Sequence, residues 1–424
     1  MLMQRGKSVK LLPTKEQEKL FIQSAGARRF VYNWGLQKQM EAFENKQPFI
    51  SMKNLHKELV NLKNTNPDFA WLKDISCDVP KQALKDLEKA WHKYFNMQKQ
   101  LGYKPYSKHK IEHAMRIGKK LTVYDRCGHP KFKTKSKTED SFHCDFIQVT
   151  ITEGYIRIPK IGNVKTAVDN IFPIGSGRDS LKLYNPKVKC INDEWYFVAS
   201  IDVDIDKVDK VDKPKTEPIG IDLGVKDLAI LSDSKKYKNI NKTKRVRTLE
   251  KRKKRMQRRL SKKYERNKVG DKFVKTKNIQ RLEKQNRKAD HQLKSIRKNY
   301  LHQTTSEIVK RNPIYIAMED LNVQGMMKNK HLSKAIQDQG LDTFRTYITY
   351  KCEAQGIQIY FADRFYPSSK KCSCCGNIKK DLKLRDRTYH CEQCNISIDR
   401  DINAAINLRN LGQEQYNKSI NYAH

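Results

Sequence analysis

The chain opens on a short strand-like stretch, KSVKLLP, and then changes period. Thr14 followed by Gln17 is the reciprocal start signal of a helix, each side chain answering the other's backbone N–H. Beyond it Leu20, Ala27, Val31 and Trp34 fall on one helical face. A second helix is predicted from Asp78, with Pro80 in its first turn and Leu84, Leu87, Trp91 and Tyr94 at helical spacing. Residues 13–120 therefore read as a helical lobe. From about 125 to 205 the period becomes two: Phe142, Cys144 and Phe146 alternate with polar residues, as do Trp195, Phe197, Ala199, Ile201 and Val203. Turn signals EG, GSG and ND divide these runs, which predicts a small antiparallel barrel.

The stretch DIDKVDKVDKPKTEP has no apolar period and reads as a charged linker. After it the pattern is mixed α/β. PIGIDLG and DLAILSD are two apolar strands joined tightly, and a very basic helix follows over residues 244–263. Leu282, Ala289, Leu293, Ile296 and Tyr300 then form a packing seam at spacings of seven, four, three and four. A strand IYIAMED, a helix over 333–355 and a strand GIQIYFAD complete the pattern. No internal repeat is evident.

Charge changes this picture most. The 424 residues carry 87 Lys+Arg against 47 Asp+Glu, a formal charge of +40. Such an excess repels itself unless a polyanion is bound. Nucleic acid and an anionic membrane are the two candidates. No apolar run approaches the roughly 18 residues that suggest a spanning helix, and the N-terminus MLMQRGKSVK lacks a signal-peptide core. Nucleic acid is the stronger candidate, in the cytoplasm. In KRVRTLEKRKKRMQRRLSKK so few acids are interleaved that Arg252, Lys254, Arg255, Arg258 and Arg259 are predicted to touch phosphate. Arg28 and Arg29 are equally compatible with phosphate contact and with plain surface.

Of ten cysteines, Cys77, Cys127, Cys144, Cys190 and Cys352 are scattered singly and read as reduced, mostly buried thiols. The other five crowd together. Cys372, Cys375, Cys391 and Cys394 give C-x2-C-x15-C-x2-C, the spacing of a four-cysteine zinc site, with a redox pair or iron–sulfur cluster as the lesser alternatives. The intervening segment is too polar to fold on apolar burial, so the metal would be its core. Four sulfur ligands leave no position for water, which makes the zinc structural. Cys374 is read as a bystander.

Acids form the second constellation. Asp222 lies inside an apolar strand, where a carboxylate is costly unless something binds it. Glu319 ends IYIAMED, and Asp399 and Asp401 open the helix DINAAINL. Each has an ordinary structural explanation: either aspartate can cap the helix, and Glu319 can be surface. Their order suggests a sheet edge where three acids converge. Clustered carboxylates need a cation, and hard oxygen ligands suit Mg²⁺ or Mn²⁺. Two such ions about 3.5–4 Å apart can cleave a phosphodiester.

The segments GARRFVYNWGL, GIDLGVKDLAILSD, IAMEDLNVQGM, PSSKKCSCCGN and DRDINAAINL resemble, in order and over nearly the whole chain, the TnpB family of transposon-associated, RNA-guided DNA nucleases related to type V CRISPR effectors. The match is weakest over 97–140. The resemblance implies a multidomain α/β protein. Its parts would be a wedge-like β-barrel (1–12 and 121–210) interrupted by a helical recognition lobe (13–120), an RNase-H-like RuvC nuclease domain (211–366 and 398–412), an inserted zinc knuckle (367–397) and a flexible tail (413–424). It makes Asp222, Glu319 and Asp401 the catalytic and magnesium-binding carboxylates, Asp401 filling the first position of D-x-N-A-A with Asn403 as its helix neighbour. The partners would be a guide RNA from the transposon end and double-stranded DNA bearing a short flanking motif. The segment VPKQALKDLEKA makes Lys81 and Gln82 candidates for reading that motif. The setting would be the prokaryotic cytoplasm, at the nucleoid when DNA is bound. Alternatives are a nuclease-inactive RNA-guided repressor, which should have lost an acid, and a compact type V CRISPR effector with the same chemistry. A strand transferase finds no tyrosine or serine recombinase constellation here.

Overall fold

Thr14 and Gln17 start their helix as the spacing predicts: the Gln17 N–H donates to the Thr14 hydroxyl at 3.2 Å, and the Thr14 N–H to the Gln17 side-chain oxygen at 3.1 Å. The computed structural model describes residues 2–100, 106–118, 120–121, 125–126, 128–135, 139–177, 181–204, 214–270, 272–379, 381–383 and 386–421. They form two units, Leu2–Val203 and Asp204–His424.

The first unit begins with β1 (Leu2–Leu12) and the helices α1 (Lys15–Glu44), α2 (Met52–Thr65), α3 (Pro67–Ala70), α4 (Asp78–Gln100) and α5 (Lys108–Arg116). Seven strands follow: β2 (Ser141–His143), β3 (Thr150–Thr152), β4 (Tyr155–Ile158), β5 (Gly162–Thr166), β6 (Gly175–Ser176), β7 (Leu183–Ile191) and β8 (Glu194–Asp204). With β1 they make one sheet in the order β2-β7-β8-β1-β5-β4-β3-β6. Among the described residues no ladder joins β2 to β6, so the expected barrel is an eight-stranded sheet without hydrogen-bonded closure. Its inward residues, including Phe142, Ile151, Val164, Val188 and Phe197, share one core with Phe21, Val31, Leu55, Leu84 and Trp91 of the helices. Phe146 departs from the predicted alternation and is exposed. Asp145 takes the N–H of Ile147 and turns the chain into a short 3₁₀ helix there. Cys77 is exposed rather than buried, whereas Cys144 and Cys352 are buried and Cys190 half-buried. Cys127 lies outside the described residues.

Arg28 and Arg29 face inward to partners. Arg28 bridges Asp86 of α4 at 2.8 Å and the Ser141 hydroxyl at 2.6 Å, and Arg29 pairs with Asp140. Neither is a phosphate contact in this arrangement. Beside them, burial pushes the His143 imidazole down to about 4; Asp86 opposes the shift while Arg28, Lys187 and Lys89 add to it. An unfolded histidine titrates near 6.5, so on acidification the unfolded chain takes up this proton first. The linked stability is complete above about pH 6.5, declines as pH falls, and is spent by about 4. The first unit should therefore melt lower at pH 5 than at pH 7, and His143→Gln should flatten that dependence; a parallel decline in the variant would assign it to other groups.

The second unit begins with β9 (Ile219–Leu223), β10 (Asp227–Leu231), β11 (Lys236–Lys238) and α6 (Lys244–Arg266). A small hairpin of β12 (Lys268–Val269) and β13 (Lys272–Phe273) leads to α7 (Lys277–Val309) and β14 (Tyr315–Glu319). Then come α8 (Val323–Met326), α9 (Ser333–Gln339), α10 (Leu341–Gln355), β15 (Gln358–Ala362), β16 (Thr388–His390), β17 (Ser397–Asp399) and α11 (Arg400–Asn421). The main sheet has the order β11-β10-β9-β14-β15. Strands β9, β14 and β15 are parallel, while β10 runs antiparallel to both neighbours. On one face Ile221, Leu223, Ile316 and Met318 pack against Leu301, Ile308, Phe344 and Ile348 of α7 and α10. The basic half of the predicted seam does something else: Leu282 and Ala289 of α7 pack on Met256 and Leu260 of α6.

Three expectations need correction here. The helix over 333–355 is two helices, broken where Gly340 adopts φ +69°. The segment read as a linker is tied down near its end, where Thr216 forms an isolated bridge with Pro313; residues 205–213 lie outside the description. The tail from 413 is helical to Asn421, held in part by the Tyr315 hydroxyl donating to the Gln413 side chain at 3.1 Å.

Candidate active site and metal knuckle

The parallel register of β9 with β14 pairs Ile219 with Ile316, Gly220 with Ala317 and Ile221 with Met318. One residue farther, Asp222 comes alongside Glu319, on strands about 4.8 Å apart and pointing to the same face. That face is covered by α11, which approaches so closely that a Cβ on Gly220 would lie 1.9 Å from the Ala405 carbonyl oxygen. One on Gly412 would meet Tyr315 at 2.6 Å and Ala317 at 2.8 Å. The two glycines thus seat the helix on β9 and β14, with its first turn over the carboxyl ends of both strands.

In that first turn the two aspartates have different partners. Asp399 is the cap: its carboxylate accepts the N–H groups of Asp401 at 2.9 Å and Ile402 at 3.3 Å, and takes Lys236 at 2.7 Å. Asp401 sits inside the helix, with Arg387 at 4.0 Å. Burial pushes the Asp222 carboxyl well above the usual carboxylate range, and the charges of Glu319, Asp401 and Asp399 push it further, against a smaller opposing pull from Arg400. The structure therefore gathers Asp222, Glu319 and Asp401 within one electrostatic neighbourhood. Their oxygens do not all lie within 4.8 Å of one another, but hard oxygen donors on adjoining elements are of the kind a divalent ion of the Mg²⁺ class takes.

Among the described residues, the four cysteines are the one group of metal-ligating side chains whose donor atoms all lie within 4.8 Å of each other. Cys372 and Cys394 sulfurs stand 3.6 Å apart, Cys375 and Cys391 3.5 Å. Four sulfurs on one zinc at about 2.3 Å would stand roughly 3.8 Å apart, so the quartet fits that ion. The two turns match: Gly376 and Asn395, each following the second cysteine of its pair, both take left-handed backbone. The four thiols influence one another: Cys391 is pulled down to about 6, first by the backbone N–H of Cys394, while burial and the neighbouring sulfurs push Cys375 and Cys394 up. Cys374 is exposed and outside the quartet.

The sequence reading missed what joins the two sites. Fully buried Asn403 donates to the Lys371 carbonyl at 2.7 Å and accepts the Ser373 N–H at 2.9 Å. Asn407, one turn on, donates to the carbonyls of Ser368 and Lys371 at 2.8 and 2.6 Å. Ser368 in turn donates its hydroxyl to Glu319. Two asparagines four apart on the apolar side of a helix were the available signal, because buried amides are hydrogen-bonded.

The predicted phosphate contacts Arg252, Lys254, Arg255, Arg258 and Arg259 are all exposed on α6. Lys254 also lines a groove with Arg247, Lys251, Gln257 and Lys334, and the last of these comes from α9, where no charge run marked it. Arg297 pins this region, reaching Glu250 at 2.8 Å and Asp338 at 2.7 Å. In the first unit Lys81 is exposed, while the Gln82 side chain turns to Asp86 at 3.4 Å. No helix among the described residues is long and apolar enough to cross a membrane.

Three sequence families match: "Helix-turn-helix domain" over residues 1–47, "Probable transposase" over 200–330 and "Cas12f1-like, TNB domain" over 342–408. The first of these segments folds here as β1 and α1. The chain is 26% identical to "Putative RNA-guided DNA endonuclease InsQ" of Escherichia coli K12, covering 94% of this chain and 90% of that one. A "Putative RNA-guided DNA endonuclease" of Streptomyces pristinaespiralis is 24% identical, over 93% and 86% of the two chains. A chain of the "Cryo-EM structure of the Cas12f1-sgRNA-target DNA complex" aligns with 96% of this chain and 99% of its own, at 16% identity and a TM-score of 0.34.

Proposed function

We propose that this chain, which belongs to the TnpB family, is a transposon-associated RNA-guided endonuclease that hydrolyses DNA phosphodiesters at Asp222, Glu319 and Asp401. The observation that carries the reading is the register of β9 on β14, which sets Asp222 beside Glu319 under the first turn of the helix bearing Asp401. Guide RNA and a double-stranded DNA target are the partners, and the cytoplasm of a prokaryote is the setting. The mixed sheet, covered by helices on both faces, supports the RNase-H-like assignment, with residues 367–397 as a zinc knuckle inserted before the last helix.

Mg²⁺ or Mn²⁺, when bound, would supply the charge that activates water and stabilises the leaving oxygen, in the manner of two-ion sites. This chain's own residues do the positioning. Asp222 and Glu319 present hard oxygens side by side, and Asp401 closes the group from above. Asp399 holds the helix start, so Asp401 keeps its carboxylate for the site. Ser368 orients Glu319. Asn403 and Asn407 tie the stretch entering the knuckle to α11, which makes the zinc a structural brace for the active-site wall. Lys81 and Gln82 remain the proposed readers of the flanking motif, and the exposed face of α6 carries phosphate.

The decisive test is to purify the chain, sequence the RNA that accompanies it, and challenge the complex with a target library of randomised flanks. Depletion of one flank class is expected. A library that is bound but never cut would leave an RNA-guided repressor instead. Affinity for non-specific nucleic acid should fall at least about a hundredfold between 50 and 200 mM salt, because each neutralised phosphate releases counterions. A flat salt response would remove α6 from the binding surface.

A further inference from the structure

Among the large apolar side chains of the described residues, Phe365 is the most exposed, at 87%. Its place in the chain is the reason to ask what it does. Strand β15 pairs in register with β14, and its last residue, Ala362, lies opposite Glu319. Three residues after Phe365, Ser368 donates its hydroxyl to the same Glu319. The loop 363–367 is thus tied to Glu319 at both ends, with Phe365 at its middle. Three residues of extended chain reach only about 10 Å, so the Phe365 backbone lies within about that distance of Ala362 and of Ser368, the two residues that flank Glu319.

The loop is also built to hold that position. The Asp363 carboxylate accepts the Phe365 N–H at 2.9 Å, and the Asp363 carbonyl accepts the Tyr366 N–H at 3.0 Å. On the far side the Tyr366 hydroxyl donates to the Asn407 carbonyl at 3.3 Å, and Lys371 lies over the Tyr366 ring at 5.8 Å. A turn fixed at its start and anchored at its end presents one bare aromatic face. Next to it is the exposed cation of Arg364. Exposed aromatics beside a cation, at a site that handles nucleic acid strands, match the stacking platforms that receive unpaired bases while the charge takes the backbone.

The geometry points to Phe365 as a positioning residue that stacks an unpaired nucleobase flanking the scissile phosphate, with Arg364 on the adjoining backbone. This rests on the nuclease reading above, and it adds how a strand is aligned at the acids. Target recognition by the guide happens elsewhere on the strand, so the platform acts on turnover rather than on target affinity.

The test uses the full chain with its co-purified RNA and a target duplex carrying 2-aminopurine at successive positions across the cut. Wild-type protein should quench the probe at one position, and Phe365→Ala should restore its fluorescence there. The same variant should keep its target Kd and lose about tenfold or more in kcat. Phe365→Tyr and Phe365→Trp should recover most of that loss; Phe365→Leu, apolar without a π face, should not. Cleavage by Phe365→Ala at the wild-type rate, or rescue by leucine equal to that by tyrosine, overturns the proposal. The fluorescence arm does not need cleavage: a wild-type complex that quenches through Phe365 but never cuts sinks the nuclease reading and leaves the stacking site standing. A probe indifferent to Phe365 at every position sinks the stacking site.

Discussion

Asp222→Ala should remove DNA cleavage, to below about one-thousandth of the wild-type rate, while the RNA-loaded chain still binds its target. That factor corresponds to about 4 kcal/mol of transition-state stabilisation. Its physical origin is the position of Asp222, set beside Glu319 by the strand register and influenced by the charge of Asp401 on α11. The same substitution carries a second signature. Asp222 is a half-buried acid pushed up by desolvation and by three other acids, a local arrangement that disfavours the folded state without a cation. Removing it should therefore stabilise the ion-free protein, raising its melting temperature by about 2 °C or more. Mg²⁺ should raise the melting temperature of the wild type more than that of the variant, because a ligand stabilises only the state it binds. Chelation should stop cutting and return of Mg²⁺ or Mn²⁺ restart it. Asp222→Asn separates charge from size and should behave like the alanine. A variant that melts lower and still cuts would mark Asp222 as a structural acid.

Loss of zinc has the second largest effect, and its reach is the informative part. The knuckle's own core is little more than Tyr389, Cys372 and Cys391, with Leu382, Cys394, Ile396 and Ile398 partly buried around them. Metal binding at such sites contributes about 10–16 kcal/mol, far beyond what that apolar core supplies. Wild-type protein should carry one zinc per chain, and Cys391→Ser or Cys372→Ser should lose it and open residues 367–397 to proteolysis. The five-stranded sheet should survive, since its core is formed by β9, β10, β14, α7 and α10. Cleavage should nonetheless drop at least about tenfold. The path is short: once the knuckle is loose, Ser368 no longer orients Glu319, and Asn403 loses the chain it holds against α11. Zinc-free protein with an intact sheet and undiminished turnover would show that the knuckle and the acids work independently.

The joining of a metal knuckle to an acidic helix, visible in the sequence as CSCCGN followed within a few dozen residues by DRDINAAINL, is explained by those contacts. The chain returns from the knuckle through β17 directly into the cap of α11. One stretch therefore both closes the metal site and delivers Asp401 to the acids. The zinc quartet was legible because ligand spacing in a tight turn is a local property. The capping box at Thr14, the Pro80 helix start and the strands around Asp222 and Glu319 were legible for the same reason: hydrogen bonds and periods over a few residues set them.

Local rules also explain the errors. The helix over 333–355 kept an apolar period across Gly340, and the left-handed break there left no mark on the pattern. Phe146 kept the alternation after Asp145 had already turned the chain. Arg28 and Arg29 read equally well as phosphate contacts or as surface because their partners, Asp86 and Asp140, lie 58 and 111 residues away.

By itself, then, the amino-acid sequence determined most of the element types, the cationic character and the four cysteines that come together, and it proposed the acids. Tertiary structure alone decided which aspartate caps the helix, that Asp222 and Glu319 lie side by side, and that Ser368, Asn403 and Asn407 couple knuckle to sheet. The division follows from range. Period, capping and ligand spacing are set by neighbours in the chain, whereas the meeting of residues 222, 319, 368 and 401 depends on strand register and on a helix seated against Gly220. Register and seating are cooperative outcomes of packing, and no single window of residues contains them.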